Sequence, residues 1–489
     1  MEGSRGRRRW PAVTGTFVAC ALALALPAVA GAGEVDDACR ANGGSASMCV
    51  GLEKAGERVS AECRRLGAAS DEQCVVPLGH RVIRGAVDAY QSSWTHRALG
   101  LQYALGNDAP LSNAPWIGTH NSFNSTSEFP TASHTDSNQQ LSIIDQLRID
   151  MRKLEIDVHW TPSPWAGGAN APVVCHGRGA DEMHAGCTTE RLFADTMAPV
   201  AAWLRAHPSE VLLLYVEDNL GGTEGQEAAA HVLNDVFGKL IYRPRGGASC
   251  SLLPLGLTRR DVLSAGAQVV VVSGCGSGPG WRGAVFDWDG RPAPAAAPVH
   301  VETSTHGYSA DCAPGDFPRS TYDTRLVRYF EDSTWLSATI DPGGPGYYDA
   351  GVTAQAAQRM TRCGVDLIDF DQILPDDGRL DAVVWSWAQE EPRQQGGACA
   401  AQGTDGRWRA RPCRLRLPAA CRRADGSWTV SRAPVRFASA SGACRARGAR
   451  FAVPRTGYEN ERLRAARGGA AGDMWLGHTR VRGRWIARG

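Results

Sequence analysis

Short apolar runs that end in polar residues recur through the middle of the chain: PWIGTHNSF from residue 115, MRKLEIDVHW from 151, APVVCHGR from 171 and EVLLLYVED from 210. Each is dominated by bulky or branched apolar side chains, which is how a strand buried on both faces reads. With four later runs they predict eight strands, at 115–123, 153–160, 171–176, 210–217, 268–273, 298–303, 335–340 and 366–373. Segments of helical period fall between several of them: LSIIDQLRID, TERLFADTMAPVAAWLRAHP, GQEAAAHVLNDVFGKLI, TYDTRLVRYFED and YDAGVTAQAAQRMTRCG. This alternation predicts an α/β fold, an irregular (β/α)8 TIM barrel. An open doubly wound sheet would carry a Gly-rich turn after its first strand, where this chain has THNSFN. The connection from 160 to 171 is too short for a helix, and 274–297 is rich in Gly, Pro and Ala, so at least two barrel helices should be missing or reduced.

The flanks differ from the barrel. Arg5, Arg7, Arg8 and Arg9 precede an apolar run and the small residues Ala28, Ala30 and Ala32, the layout of a cleaved signal peptide over 1–32. Export, and a secreted protein, are the expectation. Of 15 cysteines, Cys20 lies in that leader and leaves an even number, which in an oxidising compartment points to disulfides. No CxxC pair occurs, which argues against structural zinc. Residues 33–105 read as a small helical segment tied by Cys39, Cys49, Cys63 and Cys74, residues 106–382 as the barrel, and 383–489 as a separate module. That last stretch has 21 arginines, no lysine and 7 acidic residues, so the overall charge of +1 hides a basic tail on an acidic body. Such a module suits anionic lipid or an acidic glycan, and export makes nucleic acid an unsuitable partner. A monomer is expected.

The strand ends carry the candidate chemistry. Cleaving a phosphodiester needs proton transfer and positive charge at the transition state. His120 and His176 can move protons, and Asn121, Glu155, Asp157 and Glu217 offer hard oxygen ligands that suit Ca²⁺ or Mg²⁺ rather than zinc. Residues 155 and 157 share one face of a strand because the side-chain period is two. Glu302, His306, Asp369 and Asp371 fall near other strand ends and are candidates for shaping a headgroup pocket.

On these motifs the segment resembles the catalytic X domain of phosphatidylinositol-specific phospholipase C. The matches are Thr119-His120-Asn121 after the first strand, Glu155-Ile156-Asp157 in the second, His176-Gly177 after the third and Glu217 at the end of the fourth. The resemblance spans about half the chain and implies cleavage of the glycerol–phosphate bond of inositol phospholipids at a membrane surface, giving diacylglycerol and an inositol cyclic phosphate. Metal-independent bacterial members have arginine where calcium-dependent members have aspartate, and this chain has Asp157. The resemblance therefore implies Ca²⁺ held by Asn121, Glu155, Asp157 and Glu217, with His120 stabilising the phosphoryl group and His176 as general acid. The general base stays open, Glu155 being one candidate.

The tail resembles a C-type-lectin-like domain with its halves in reversed order. WSWAQEEP, Cys399, Trp408, Cys413 and Cys421 match the second half, and YENERLRAA with MWLGHTRVRGRW the first. The resemblance implies the disulfides Cys399–Cys413 and Cys421–Cys444. Glu391-Pro392 is followed by Arg393, and Trp408 by Arg409, so the triplets that bind calcium and sugar are not intact and a structural or anion-binding role is expected. Two competing readings are a glycerophosphodiester phosphodiesterase or phospholipase D-like barrel, whose HRG and ENT patterns are absent, and a non-catalytic surface-binding protein.

Overall fold

The computed structural model describes residues 84–125, 127, 137–176, 191–244, 251–288, 300–304 (backbone), 326–333, 352–469 and 471–488. The leader, the four N-terminal cysteines, His306 and the strand expected at 335–340 lie outside these residues. Among the described residues, nine strands build the main sheet: β1 (Trp116–Thr119), β2 (Lys153–Pro162), β3 (Asn170–Val174), β4 (Leu212–Asn219), β5 (Val269–Ser273), β6 (Phe286–Asp287), β7 (His300–Ser304), β8 (Leu326–Phe330) and β9 (Leu367–Phe370). Eight of them run in the order β6-β5-β4-β2-β1-β9-β8-β7, every neighbouring pair parallel. This is the curled parallel sheet of a TIM-like barrel.

Three elements differ from the sequence expectation, the first being β6, a two-residue strand within 274–297 where none was expected. The run 171–176 is not a barrel strand: β3 pairs antiparallel with β2, Val158 opposite Val174 and Pro162 opposite Asn170. The connection through the short turn Pro164–Ala166 explains this, because a parallel return needs a crossover of a dozen residues or more. The segment TYDTRLVRYFED, expected as a helix, contributes strand β8 over Leu326–Phe330. Its Val, Tyr and Phe favour the pleated sheet once Arg328 has a buried partner, which no local periodicity could reveal.

The helices are α1 (Arg84–Gln91), α2 (Trp94–Gly106), α3 (Ile143–Arg148), α4 (Phe193–Ala206), α5 (Thr223–Phe237), α6 (Arg259–Ser264), α7 (Pro279–Ala284), α8 (Ala354–Cys363), α9 (Arg379–Ala382), α10 (Ala440–Arg445) and α11 (Gly457–Ala466). Outward residues of β2, β4 and β5, among them Leu154, Ile156, Leu214 and Val271, pack against Met197, Val200 and Leu204 of α4 and Leu233 of α5. Val87, Tyr90, Leu99 and Tyr103 of α1 and α2 join Ile117, Ile368 and Met360 in a second core. Each fully buried Leu or Ile removes enough apolar surface from water to be worth about 1.5–3 kcal/mol.

After residue 383 come β10 (Cys399–Gln402), β11 (Trp408–Arg411), β12 (Arg416–Leu417), β13 (Ala420–Arg422), β14 (Trp428–Val430), β15 (Val435–Arg436), β16 (Arg450–Phe451), β17 (Met474–Val481) and β18 (Arg484–Ala487). β10 lies between β11 and β17, which brings the two ends of the module together. Both disulfides, Cys399–Cys413 and Cys421–Cys444, are formed.

Candidate active site

Alternation along β2 sends Leu154, Ile156 and Val158 outward into the core and Lys153, Glu155, Asp157 and His159 to the opposite face. Asp157 is in register with Glu217 on β4, and one oxygen each from Glu155, Asp157 and Glu217 lie within 4.8 Å of one another. Burial pushes the Asp157 carboxyl well above the usual range, and Glu217 and Glu155 push it further. Glu217 is raised in the same way, first by burial and then by Glu155. Two crowded, desolvated carboxyls of this kind are stabilised by a cation or a proton.

Asn121 completes the cluster from the turn after β1, with φ at 43°, a left-handed conformation that Asn tolerates better than most residues. With its NH₂ turned to Asp157 the side chain donates to both carboxylate oxygens at 3.2 Å, and its carbonyl accepts from His176 Nε2 at 3.3 Å. The opposite amide orientation presents oxygen to oxygen, which is favourable only around a cation. The donor set of Asn121, Asp157, Glu217 and one oxygen of Glu155 therefore fits a hard divalent ion such as Ca²⁺.

His120 is buried beside this cluster, with Nδ1 3.2 Å from Asp371 Oδ2. Burial opposes its positive charge, but Asp371 and Glu155 outweigh it and push the imidazole up to about 10. Burial pushes Asp371 up to about 7 against the pull of His120. Asp371 also accepts from Ser333 N at 2.7 Å and Asn138 Nδ2 at 3.2 Å, and Gln139 Nε2 donates to its other oxygen at 3.1 Å. These bonds fix the carboxylate that fixes the imidazole, an arrangement that leaves Nε2 as the ring atom for chemistry.

Glu155 stands apart from its neighbours. Its Oε2 accepts from Lys153 Nζ at 2.8 Å and pairs with the Arg328 guanidinium. Burial would raise this carboxyl, yet Arg328 and Lys153 hold it below the usual range. A base role does not suit it, since two fixed cations stabilise its ionised form. Asp369 is likewise not a headgroup contact: it is fully buried, with Oδ2 2.6 Å from both Lys153 Nζ and Arg328 Nε. Asp371 positions His120 rather than lining a pocket. Glu302 sits on β7 in register with Arg328.

His176 reaches the site by an unexpected route. Since β3 runs antiparallel, the residues after it descend beside β2, where Cys175 N donates to Asp157 O at 3.3 Å. The hairpin thus delivers the second imidazole from above the acid cluster.

The sequence reading missed Lys153, Arg328, Gln139 and Gln146. Gln139 Nε2 ties His120 O at 2.7 Å to Phe370 O at 2.8 Å. Gln146 ties Thr119 Oγ1 at 2.6 Å to Ser122 O at 2.8 Å. A lysine on the inward face of a strand, two residues before Glu155, was the one signal available.

A curled parallel sheet carries two imidazoles and a carboxylate cluster at one end, the architecture of a PI-PLC-like TIM barrel. Residues 75–377 match the family described as the Rv2075c PI-PLC-like domain, and the chain belongs to it. The Mycobacterium tuberculosis proteins Rv2075c (strain H37Rv) and MT2135 (strain CDC 1551) are each 46% identical over 441 residues, 88% of this chain and 88% of theirs. Among solved structures, phosphatidylinositol-specific phospholipase C from Listeria monocytogenes aligns with a TM-score of 0.39 at 13% identity, covering 59% of this chain and 98% of that one. A calcium-dependent phosphoinositol-specific phospholipase C from Pseudomonas aligns with a TM-score of 0.34 at 12% identity, covering 57% and 98%.

Proposed function

We propose that this protein is a secreted phosphoric diester hydrolase of the phospholipase C type, acting on inositol phospholipids with the help of Ca²⁺. The observation that carries this reading is the meeting of His120, backed by Asp371, and His176, beside Asn121, at the edge of the Glu155–Asp157–Glu217 cluster. In such a reaction the inositol 2-hydroxyl attacks phosphorus and gives up its proton. The bond from phosphorus to the glycerol oxygen breaks, and that oxygen takes a proton from an imidazole, leaving a cyclic phosphate and diacylglycerol. A cation in the carboxylate cluster would supply charge stabilisation for the phosphoryl oxygens.

The lipid surface is the proposed partner. Trp165, at the tip of the β2–β3 hairpin, is 66% exposed, the highest value among the exposed large hydrophobics of the described residues. Residues 160–172 contain no charged side chain. The hairpin continues β2 beyond Asp157, so its tip stands on the same end of the barrel as the site. The basic C-terminal module is the proposed second contact, with anionic lipid or glycan.

The test is a panel of phosphatidylinositol, phosphatidylcholine and glycerophosphodiesters, with Ca²⁺ or with chelator, read by product identity. Diacylglycerol and inositol phosphate are expected from the first substrate, lost on chelation and reduced roughly a hundredfold or more in His120→Ala. Full turnover in chelator would remove the cation from the mechanism, and a phosphatidyl product would replace the reaction class.

A further inference from the structure

The charges beneath the carboxylate cluster belong to neither histidine nor to the acids expected as ligands. Lys153 is fully buried, and its ammonium bridges Glu155 Oε2 at 2.8 Å and Asp369 Oδ2 at 2.6 Å. Arg328, also buried, spans the same two carboxylates from the other side of the barrel. Both cations face the ring of Tyr215, at 5.4 and 5.2 Å from its centroid. The layer has room for them because β1 carries Gly118, in register with Lys153 and Asp369. A Cβ there would lie 2.6 Å from Asp369 Oδ1 and 2.7 Å from Lys153 Cβ.

Two consequences follow from charge and geometry. Oε2 of Glu155 already accepts from two cations, which fills its lone pairs and leaves one oxygen of Glu155 for any ion above. Among the described side chains, Lys153, Arg328 and the His120 imidazolium stand against the carboxylates of Glu155, Asp157, Glu217, Asp369 and Asp371, so that the ionised set carries two uncompensated negative charges, the charge of one divalent ion. In a buried site each added or removed unit charge acts on a bound cation at low effective dielectric.

We propose that Lys153 and Arg328 are positioning residues of the cation site: they clamp Glu155 through Oε2 and set the charge of the cluster to suit a divalent rather than a trivalent ion. The inference rests on the reading that the cluster holds a cation, and it deepens that reading by naming what tunes the affinity. It also separates Glu155 from Asp157 and Glu217 in kind, the first an anion anchored by the protein and the other two carrying the charge that a cation would neutralise.

The experiment is calorimetric titration of the full chain with Ca²⁺ and, separately, with Tb³⁺, with no substrate present. Lys153→Met should tighten Ca²⁺ at least about tenfold and Tb³⁺ by more, so that the ratio of the two dissociation constants moves toward the trivalent ion. Asp369→Asn, which removes a negative charge from the same layer, should weaken Ca²⁺ by about tenfold or more. Lys153→Arg, and the double variant Lys153→Met with Asp369→Asn, both keep the net charge and should stay within about threefold of wild type. If circular dichroism shows that Lys153→Met does not fold, Asp369→Asn decides alone, in the opposite direction. Unchanged constants in the folded single variants, or a double variant that behaves like Lys153→Met, would overturn the inference while the cation reading stands. A wild-type chain that takes up neither ion and turns over fully in chelator would overturn both.

Discussion

Asp371 shows how much of the site hangs on one side chain. It holds His120 through Nδ1 and is itself held by Ser333, Asn138 and Gln139, so replacing it alters orientation and tautomer without emptying the site. Asp371→Asn should lower kcat about tenfold to a hundredfold with a small change in KM, measured by initial rates on a phosphodiester, while the far-ultraviolet circular dichroism is retained. His96 makes a different prediction, about stability. Its Nδ1 lies 2.9 Å from Asp150 Oδ2, and this hydrogen bond raises its pKa above the ordinary 6.5 despite partial burial. A raised folded-state value means the imidazolium stabilises the fold in full below about 6.5, and that this contribution is lost as pH rises through the folded value. His96→Gln should therefore lower the melting temperature at pH 5.5 more than at pH 8.5. The side chain is 35% exposed, so the difference will be modest.

At the scale of elements, the β2–β3 hairpin does two jobs. One end of β3 delivers His176, and the other end of the hairpin carries Trp165 away from the barrel. Trp165→Ala should cut partitioning onto phosphatidylinositol-containing vesicles severalfold, read by cosedimentation, because the tryptophan's large amphipathic ring suits a membrane interface. Turnover of a water-soluble phosphodiester should be unchanged, since the tip is remote from the acids. Equal loss on both substrates would mean that the hairpin acts by placing His176 instead. The main sheet divides its labour in a similar way: outward positions of β2, β4 and β5 supply hydrophobic stability, while inward positions of β2, β4, β8 and β9 carry charge.

At the scale of the molecule, helix α2 meets the start of the C-terminal module. Gln102 on α2 accepts from Trp385 N at 2.8 Å, Ser386 N at 3.1 Å and Ser386 Oγ at 2.9 Å. Trp94 Nε1 donates to Glu391 O at 2.8 Å, and Leu105 lies in one apolar cluster with Trp385, Trp387 and Trp408. The N-terminal helices, the barrel and the C-terminal module are therefore joined by polar bonds as well as by apolar packing. Gln102→Ala would leave three donors short of an acceptor, a loss of about 1–3 kcal/mol for the buried groups. In a chain of this size that should appear as a fall of a few degrees in the melting temperature, by calorimetry. Melting in two separate steps in the variant would show that these bonds couple the module to the barrel.

The period-two pattern of β2 was enough to put Glu155 and Asp157 on one face, and the polar ends of β1 and β4 were enough to nominate His120, Asn121 and Glu217. These are local properties, set by strand geometry and by where apolar runs stop, and so they are legible in one dimension. The class of fold was legible for the same reason, through the alternation of strand and helix periods, and the two C-terminal disulfides followed from motif resemblance. The partnership of His120 with Asp371 spans 251 residues, and that of Glu155 with Arg328 spans 173. Neither has a spacing to read. TYDTRLVRYFED is compatible with a helical period, and nothing local sets Arg328 apart. Only the curled sheet, which brings Arg328 against Glu155 and Asp369, makes a strand with a buried charge the stable choice. The sequence by itself determined which chemical groups stand at the strand ends. The tertiary structure decided which are free to act and which are already paired, because pairing depends on distances across the barrel that strand order alone sets.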